Sequence, residues 1–146
     1  MKKLFLSLLI ASTVAASAFA KDTKKVNSLV ARNFRVEFAN ASNINWATTD
    51  NYIKASFVID DEKMEAFYNE KGEKIASSRT ISIDELPVKA KRSLAKNYAG
   101  YTVKETIEFE GIDDSGYYIS AENEKESVVL KVNNTGGLTP FKTTKK

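Results

Sequence analysis

Few residues of this chain have the types and spacing that chemistry needs. Ser93-Leu94-Ala95-Lys96 has the Ser-x-x-Lys spacing of serine–lysine acyl enzymes, in which the lysine activates the serine hydroxyl. Its companion Ser-Asp-Asn and Lys-Thr-Gly signals are absent, and a chance match on a lysine-rich helix explains it. Carboxylates cluster at Asp60-Asp61-Glu62, Glu108/Glu110 and Asp113-Asp114. A glycosidase needs two carboxyls about 5 to 10 Å apart across a sugar-sized cleft, and these clusters fall in turns or on a polar strand face. Calcium could be drawn to the acidic turns, but the EF-hand spacing is missing. Gly136-Gly137 is more economically a hairpin than a phosphate loop.

The chain has no His and no Cys. This removes the Ser-His-Asp triad, the thiol nucleophile and the ordinary zinc site. The expectation is a protein without catalytic residues, bound cofactor or metal ligand set, and not an enzyme.

Aromatic side chains remain as candidates for contact, because Tyr and Trp bury large area at few torsions and dominate binding hot spots. Trp46, Tyr52, Tyr68 and Tyr118, together with Lys54, are the candidate protein-contact residues. Tyr52 alternates with Lys54 and Ser56, and Tyr118 with Ser120 and Glu122, so both are expected to face solvent. Ile53, Ala55 and Phe57, like Ile119 and Ala121, should face inward. Val58 and Val129 break the alternation, marking either the apolar part of a binding face or a locally two-sided core. For any single aromatic, a place in the core is the simpler expectation.

The elements that must position these residues follow a leader. Lys2 and Lys3 precede an uncharged apolar run from Leu4 to Ala16, and Ala18-Phe19-Ala20 supplies small residues for cleavage after Ala20. The run is shorter than the ~20 residues of a membrane span. Residues 1–20 therefore read as a signal peptide and the mature chain as periplasmic or secreted, with no transmembrane segment. Without Cys, stability must come from a hydrophobic core. Loss of Lys2 and Lys3 brings the formal charge from +3 close to neutrality, which argues against nucleic acid as a partner.

Val26, Leu29, Val30, Phe34 and Phe38 recur at steps of three and four, predicting a helix that Asp22 or Thr23 could cap. Strand patterns follow around Ile44 to Trp46, Tyr52 to Ile59, Met64 to Tyr68 and Ile75 to Ile81. From Asp84 the order recurs. Leu86, Ala90, Leu94 and Tyr98 form a second helical stripe capped by Asp84, with Gly100 as its left-handed stop. Strands are then expected through Val103 to Phe109, Tyr117 to Glu122, Val128 to Val132 and Leu138 to Phe141. Val103, Ile107 and Phe109 are expected on one face. Phe38 matches Tyr98 at an offset of 60, while Tyr52 matches Tyr117 and Gly72 matches Gly137 at 65; an insertion at Gly111 to Ser115 accounts for the change. The expected fold is α+β: a tandem repeat of one helix followed by a roughly four-stranded antiparallel sheet, the strands forming two sheets or one continuous sheet with both helices on one face. The repeats span residues 21–83 and 84–146 and join in one compact unit.

Ala41 with Trp46, Tyr52-Ile53-Lys54-Ala55-Ser56-Phe57, Lys63-Met64-Glu65-Ala66-Phe67-Tyr68, Gly72, Leu86-Pro87 and Tyr98-Ala99-Gly100-Tyr101 resemble the PepSY-like, β-lactamase-inhibitor-protein-like secreted domains of Bacteroides and related bacteria. The resemblance covers nearly all of the mature chain. It implies helices against antiparallel sheet, an envelope or secreted location, and a binding or inhibitory role toward a protein partner. The alternative expectation is a small-ligand or metal-ion-binding envelope protein.

Overall fold

The computed structural model describes residues 26–146. The expected leader and the expected cap at Asp22 or Thr23 lie outside the described residues. Helix α1 spans Ser28–Glu37 and starts instead at Asn27, whose side chain accepts a hydrogen bond from the Leu29 amide. Four strands follow: β1 (Ser42–Thr48), β2 (Ile53–Ile59), β3 (Glu62–Tyr68) and β4 (Lys74–Thr80). A short 3₁₀ turn at Ile83–Glu85 leads into α2 (Val88–Asn97). Then come β5 (Thr102–Gly111), β6 (Ser115–Glu122), β7 (Glu126–Val132) and β8 (Leu138–Lys145).

The expectation of two helix-plus-four-strand units is overturned. The eight strands form a single antiparallel sheet in the order β1 to β8. The decisive ladder is β4 with β5, where Ala76–Thr80 pair with Gly111–Ile107. It satisfies backbone groups that separate sheets would leave bare at two internal edges. The helices are two short elements of ten residues each laid on this sheet.

Both helices bury their stripes on the same sheet face. Val30 and Phe34 of α1 pack with Ile53, Ala55, Phe57, Ala66 and Tyr68. Leu86 and, from α2, Ala90 and Leu94 pack with Ile119, Ala121, Val128, Leu130 and Val132. Between these clusters lies a polar seam. The Arg79 guanidinium donates to Glu108 at 2.7 Å and to Glu62 at 3.2 Å, and the Glu108 hydrogen bond raises its already high pKa further. Asp84 sits in the 3₁₀ turn rather than capping α2. Ser82 and Glu85 form the capping box of that turn, and Pro87 stands at the start of α2. Gly100 is not left-handed either; α2 closes with the Tyr98 amide donating to the Leu94 carbonyl at 3.0 Å.

Two hairpin turns share one construction. In Asn69–Glu73 and Asn133–Gly137, the Asn Oδ1 accepts amides two and four residues on. Gly72 (φ 83°) and Gly136 (φ 82°) take the left-handed position, so the glycine matched to Gly72 in role is Gly136, not Gly137. A β-carbon on Gly72 would stand 2.8 Å from Leu29 Cγ, so the turn seats directly beneath α1. Register shifts interrupt four ladders, β1–β2, β3–β4, β5–β6 and β7–β8. Such bulges bend strands.

Candidate binding surface

The sheet face away from the helices carries a second core. Tyr52, Phe67, Ala76, Phe109 and Tyr118 are all at most 7% exposed, and Ile75, Ile107, Val129 and Phe141 pack against them. Among the described residues this cluster contains no helical residue. Its rings meet edge to face: Tyr52 with Phe67 at 5.3 Å, Phe109 with Tyr118 at 6.1 Å, Tyr118 with Phe141 at 5.5 Å. This is the favoured geometry for ring quadrupoles. Together they form an aromatic band from the start of β2 to β8.

This placement corrects the expectation that Tyr52 and Tyr118 face solvent. They are 7% and 2% exposed, and burial is the main cause that raises both phenol pKa values. The Tyr118 hydroxyl donates to Asp114 at 3.3 Å. Asp114 is held in turn by Lys131 at 2.7 Å, whose ammonium lies 5.6 Å from the Tyr118 ring centroid. Val129, out of step in the polar parity, is part of this second core, so its parity marks a two-sided sheet.

Lys54 lies on the same face and pairs with Glu65 at 3.1 Å, their side chains 13% and 19% exposed. Trp46 and Tyr68 do not share it. Trp46 turns toward α1, its ring 5.1 Å from Phe34. Tyr68 is 1% exposed in the α1 cluster, its hydroxyl has no hydrogen-bond partner among the described residues, and burial pushes its pKa up to about 12. Of the five candidate contact residues, the structure brings together only Tyr52, Lys54 and Tyr118.

Phe67, Phe109 and Phe141 were not singled out from the sequence. For Phe109 the obstacle is the bulge between Val103 and Glu105. It sends Val103 to the helix side with Ala121, while Ile107 and Phe109 go to the helix-free side. The signal for Phe67 was present, since it directly follows the inward Ala66.

Beyond the band the same face is polar. An open recess of about 870 Å³ reaches from Lys63, Thr80, Lys104, Glu105, Ser120 and Glu122 on this face round to Glu62, Ile81, Ser82 and Glu85 beside the 3₁₀ turn. Lys104 and Lys146 pair with Glu122 at 2.9 and 3.3 Å and hold its carboxyl below the usual range. Of the other carboxylates, Asp60 and Asp61 form the β2–β3 turn, and Glu108 is bound by Arg79. Among the described residues no group of three or more Asp and Glu is placed to hold a metal ion. Lys96 is exposed in the last turn of α2.

No family model matches the chain, and no curated protein matches it. Solved structures do. A DUF2874 family protein from Bacteroides uniformis superposes with a TM-score of 0.72 at 13% identity, covering 82% of this chain and 89% of that one. A provisionally named periplasmic protein from Bacteroides eggerthii gives 0.72 at 13% identity, covering 82% and 88%. A BLIP-like protein from Bacteroides fragilis gives 0.67 at 16% identity, covering 88% and 89%. None of these matches carries the PepSY-like part of the resemblance. At such identities the likeness is one of architecture, and the chain has the fold of the DUF2874 and BLIP-like proteins of Bacteroides.

Proposed function

We propose that this protein is an exported, non-catalytic binding module of the cell envelope that engages a protein partner on the helix-free sheet face. The observation that carries the reading is the aromatic band, whose Tyr52, Phe67, Phe109 and Tyr118 are buried to 7% exposure or less with no described helix over them. An antiparallel sheet can leave one face to solvent or to a partner. Here the buried rings form a stiff floor. Half-exposed Ile107, Val129 and Phe141 and the Lys54–Glu65 and Lys131–Asp114 pairs stand at its surface. An apolar centre with a charged rim is the usual anatomy of a protein interface. The name of the BLIP-like neighbour agrees with a binding role, and the description of the B. eggerthii protein agrees with an envelope location. No described helix is long and apolar enough to cross a membrane. The recess at the polar end is open, which gives a small molecule little enclosure.

The test is capture from a Bacteroides periplasmic extract, followed by titration of the purified captured protein. Lys54→Ala/Val129→Thr alters the proposed face; Val36→Ala/Val88→Ala alters the outer helix surfaces, where those residues are 78% and 59% exposed. The expected result is binding lost by the first variant and kept by the second. Equal affinity for wild type and both variants removes the helix-free face as the contact.

A further inference from the structure

We propose that the outer edge of β8 accepts an acidic extended segment of a partner protein as a ninth strand. Among the described residues β8 is paired only on its β7 side. The register sets Lys145 opposite Glu126, Thr144 opposite Ser127, Thr143 opposite Val128 and Lys142 opposite Val129. The Lys146 amide donates to the Lys125 carbonyl at 3.0 Å. By the two-residue alternation of an antiparallel ladder, the amides of Lys142 and Thr144 then turn toward β7, and those of Thr143 and Lys145 turn outward. The β7–β8 bulge falls at Phe141, between the pairs Val129–Lys142 and Leu130–Pro140, and the stretch from Lys142 to Lys145 pairs without interruption. A row of unpaired donors and acceptors of this kind is a template for strand addition.

The other edge is a poorer template. β1 is interrupted between Ser42 and Asn45, with Asn43 at φ 51°, which bends the strand away from a regular ladder. β1 also carries no charged side chain with which to choose a partner.

Charge selects the occupant of β8. Lys142 and Lys145 are exposed and take part in no ion pair among the described residues, whereas neighbouring Lys146 is engaged by Glu122. Lys142 shares the face of Val129 and Lys145 the face of Glu126. The two ammonium groups are thus three residues apart on opposite sheet faces. A second copy of β8 would bring two more lysines to the seam and no carboxylate to meet them, and is disfavoured. An added strand with carboxylates three residues apart places one against each lysine. Beside the same edge, a recess of about 360 Å³ runs along Pro140 and Phe141 to Lys131 and Asp114. It can take one side chain of the added strand, as side pockets do in strand addition.

The test uses the full chain and a blocked peptide, Thr-Val-Glu-Thr-Val-Glu-Thr, against its analogue with both Glu replaced by Lys. Amide NMR should show the Glu peptide shifting Thr143 and Lys145, with affinity falling as salt rises. Lys142→Glu/Lys145→Glu should weaken the Glu peptide roughly tenfold and reverse the preference toward the Lys peptide. Thr143→Pro, which deletes an outward donor at an edge that tolerates proline, should also lose binding while the circular dichroism stays unchanged. Equal binding of the two peptides, shifts confined to β1 or the helix-free face, or no shifts at millimolar peptide would each overturn the proposal. The Lys54→Ala/Val129→Thr variant should keep peptide binding, which separates this edge from the face proposed above.

Discussion

Truncating Phe67 to Ala tests whether the helix-free aromatic band is core or open surface. Phe67 is 0% exposed, and its ring meets Tyr52 edge to face. Burying a phenyl ring removes roughly 150–200 Å² from water, which at about 25 cal/mol/Å² is an upper value near 4–5 kcal/mol. Phe→Ala changes in packed cores cost about 3–5 kcal/mol once the residual cavity is included. The same range is expected for Phe34→Ala in the α1 cluster, where Phe34 is 1% exposed. Since small domains have only about 5–15 kcal/mol in total, the melting midpoint should fall by roughly 10–20 °C. The assay is urea unfolding followed by far-UV circular dichroism and by Trp46, the single tryptophan. Trp46 sits on the opposite face, against Phe34. A change at Phe67 that moves the Trp46 transition therefore reports global unfolding. If Phe67→Ala lowers stability by less than about 1 kcal/mol while Phe34→Ala costs several, the band is not a second core and the reasoning fails.

Tyr68→Phe removes a buried hydroxyl without a partner among the described residues and should be neutral or stabilising by about 1 kcal/mol; a loss beyond about 0.5 kcal/mol would show that the hydroxyl is bonded. In the wild type one phenol should resist ionisation until about pH 12, read by ultraviolet absorbance. The stability linked to that raised value is present below the ordinary tyrosine pKa of ~10 and lost as pH climbs through about 12. Asp60 and Asp61, at φ 51° and 65° between the paired residues Ile59 and Glu62, form a two-residue turn of the type that favours glycine second. Asp61→Gly should raise the urea midpoint by the equivalent of roughly 0.5–1 kcal/mol, and an unchanged midpoint would refute the strain. Glu122, held below the ordinary carboxylate range by Lys104 and Lys146, should titrate late by carboxyl NMR. Its contribution is present above the unfolded pKa and lost as pH falls through the lowered folded value, and Lys104→Ala should move the midpoint upward.

Short-range patterns were readable from the sequence, and long-range geometry was not. The steps of three and four through Val30 and Phe34, and through Leu86, Ala90 and Leu94, give two helices with the expected buried faces, because an isolated stripe has only one way to meet a sheet. The alternation Ile53-Ala55-Phe57 likewise gives an inward row. Alternation says which residues share a face, but not whether the opposite face is wet. Tyr52 and Tyr118 are buried by rings from other strands, contributed by Phe67, Phe109 and Phe141. The bulge after Val103 shifts every later residue of β5 to the other side, and no single residue type announces it. The β4–β5 ladder joins residues about thirty positions apart, so it left no local mark, and a tandem repeat of four-stranded sheets was expected in place of the single eight-stranded one. Candidate contact residues fared as their surroundings dictated: Lys54 kept its face, while Trp46 and Tyr68 went to the helix side.

The strand order, identical to the order in the chain, has a kinetic consequence. Six of the seven ladders are hairpins between consecutive strands, and such units form within about 1–10 μs once a turn is made. Only β4 must find its neighbour across the 3₁₀ turn and α2. The entropy of closing that single long loop is offset by the Arg79–Glu108 contact and the ladder beneath it. Docking of β4 on β5 is then the step expected to set the folding rate. Changes in that ladder should slow refolding, whereas equally destabilising changes in an outer hairpin such as β7–β8 should chiefly hasten unfolding.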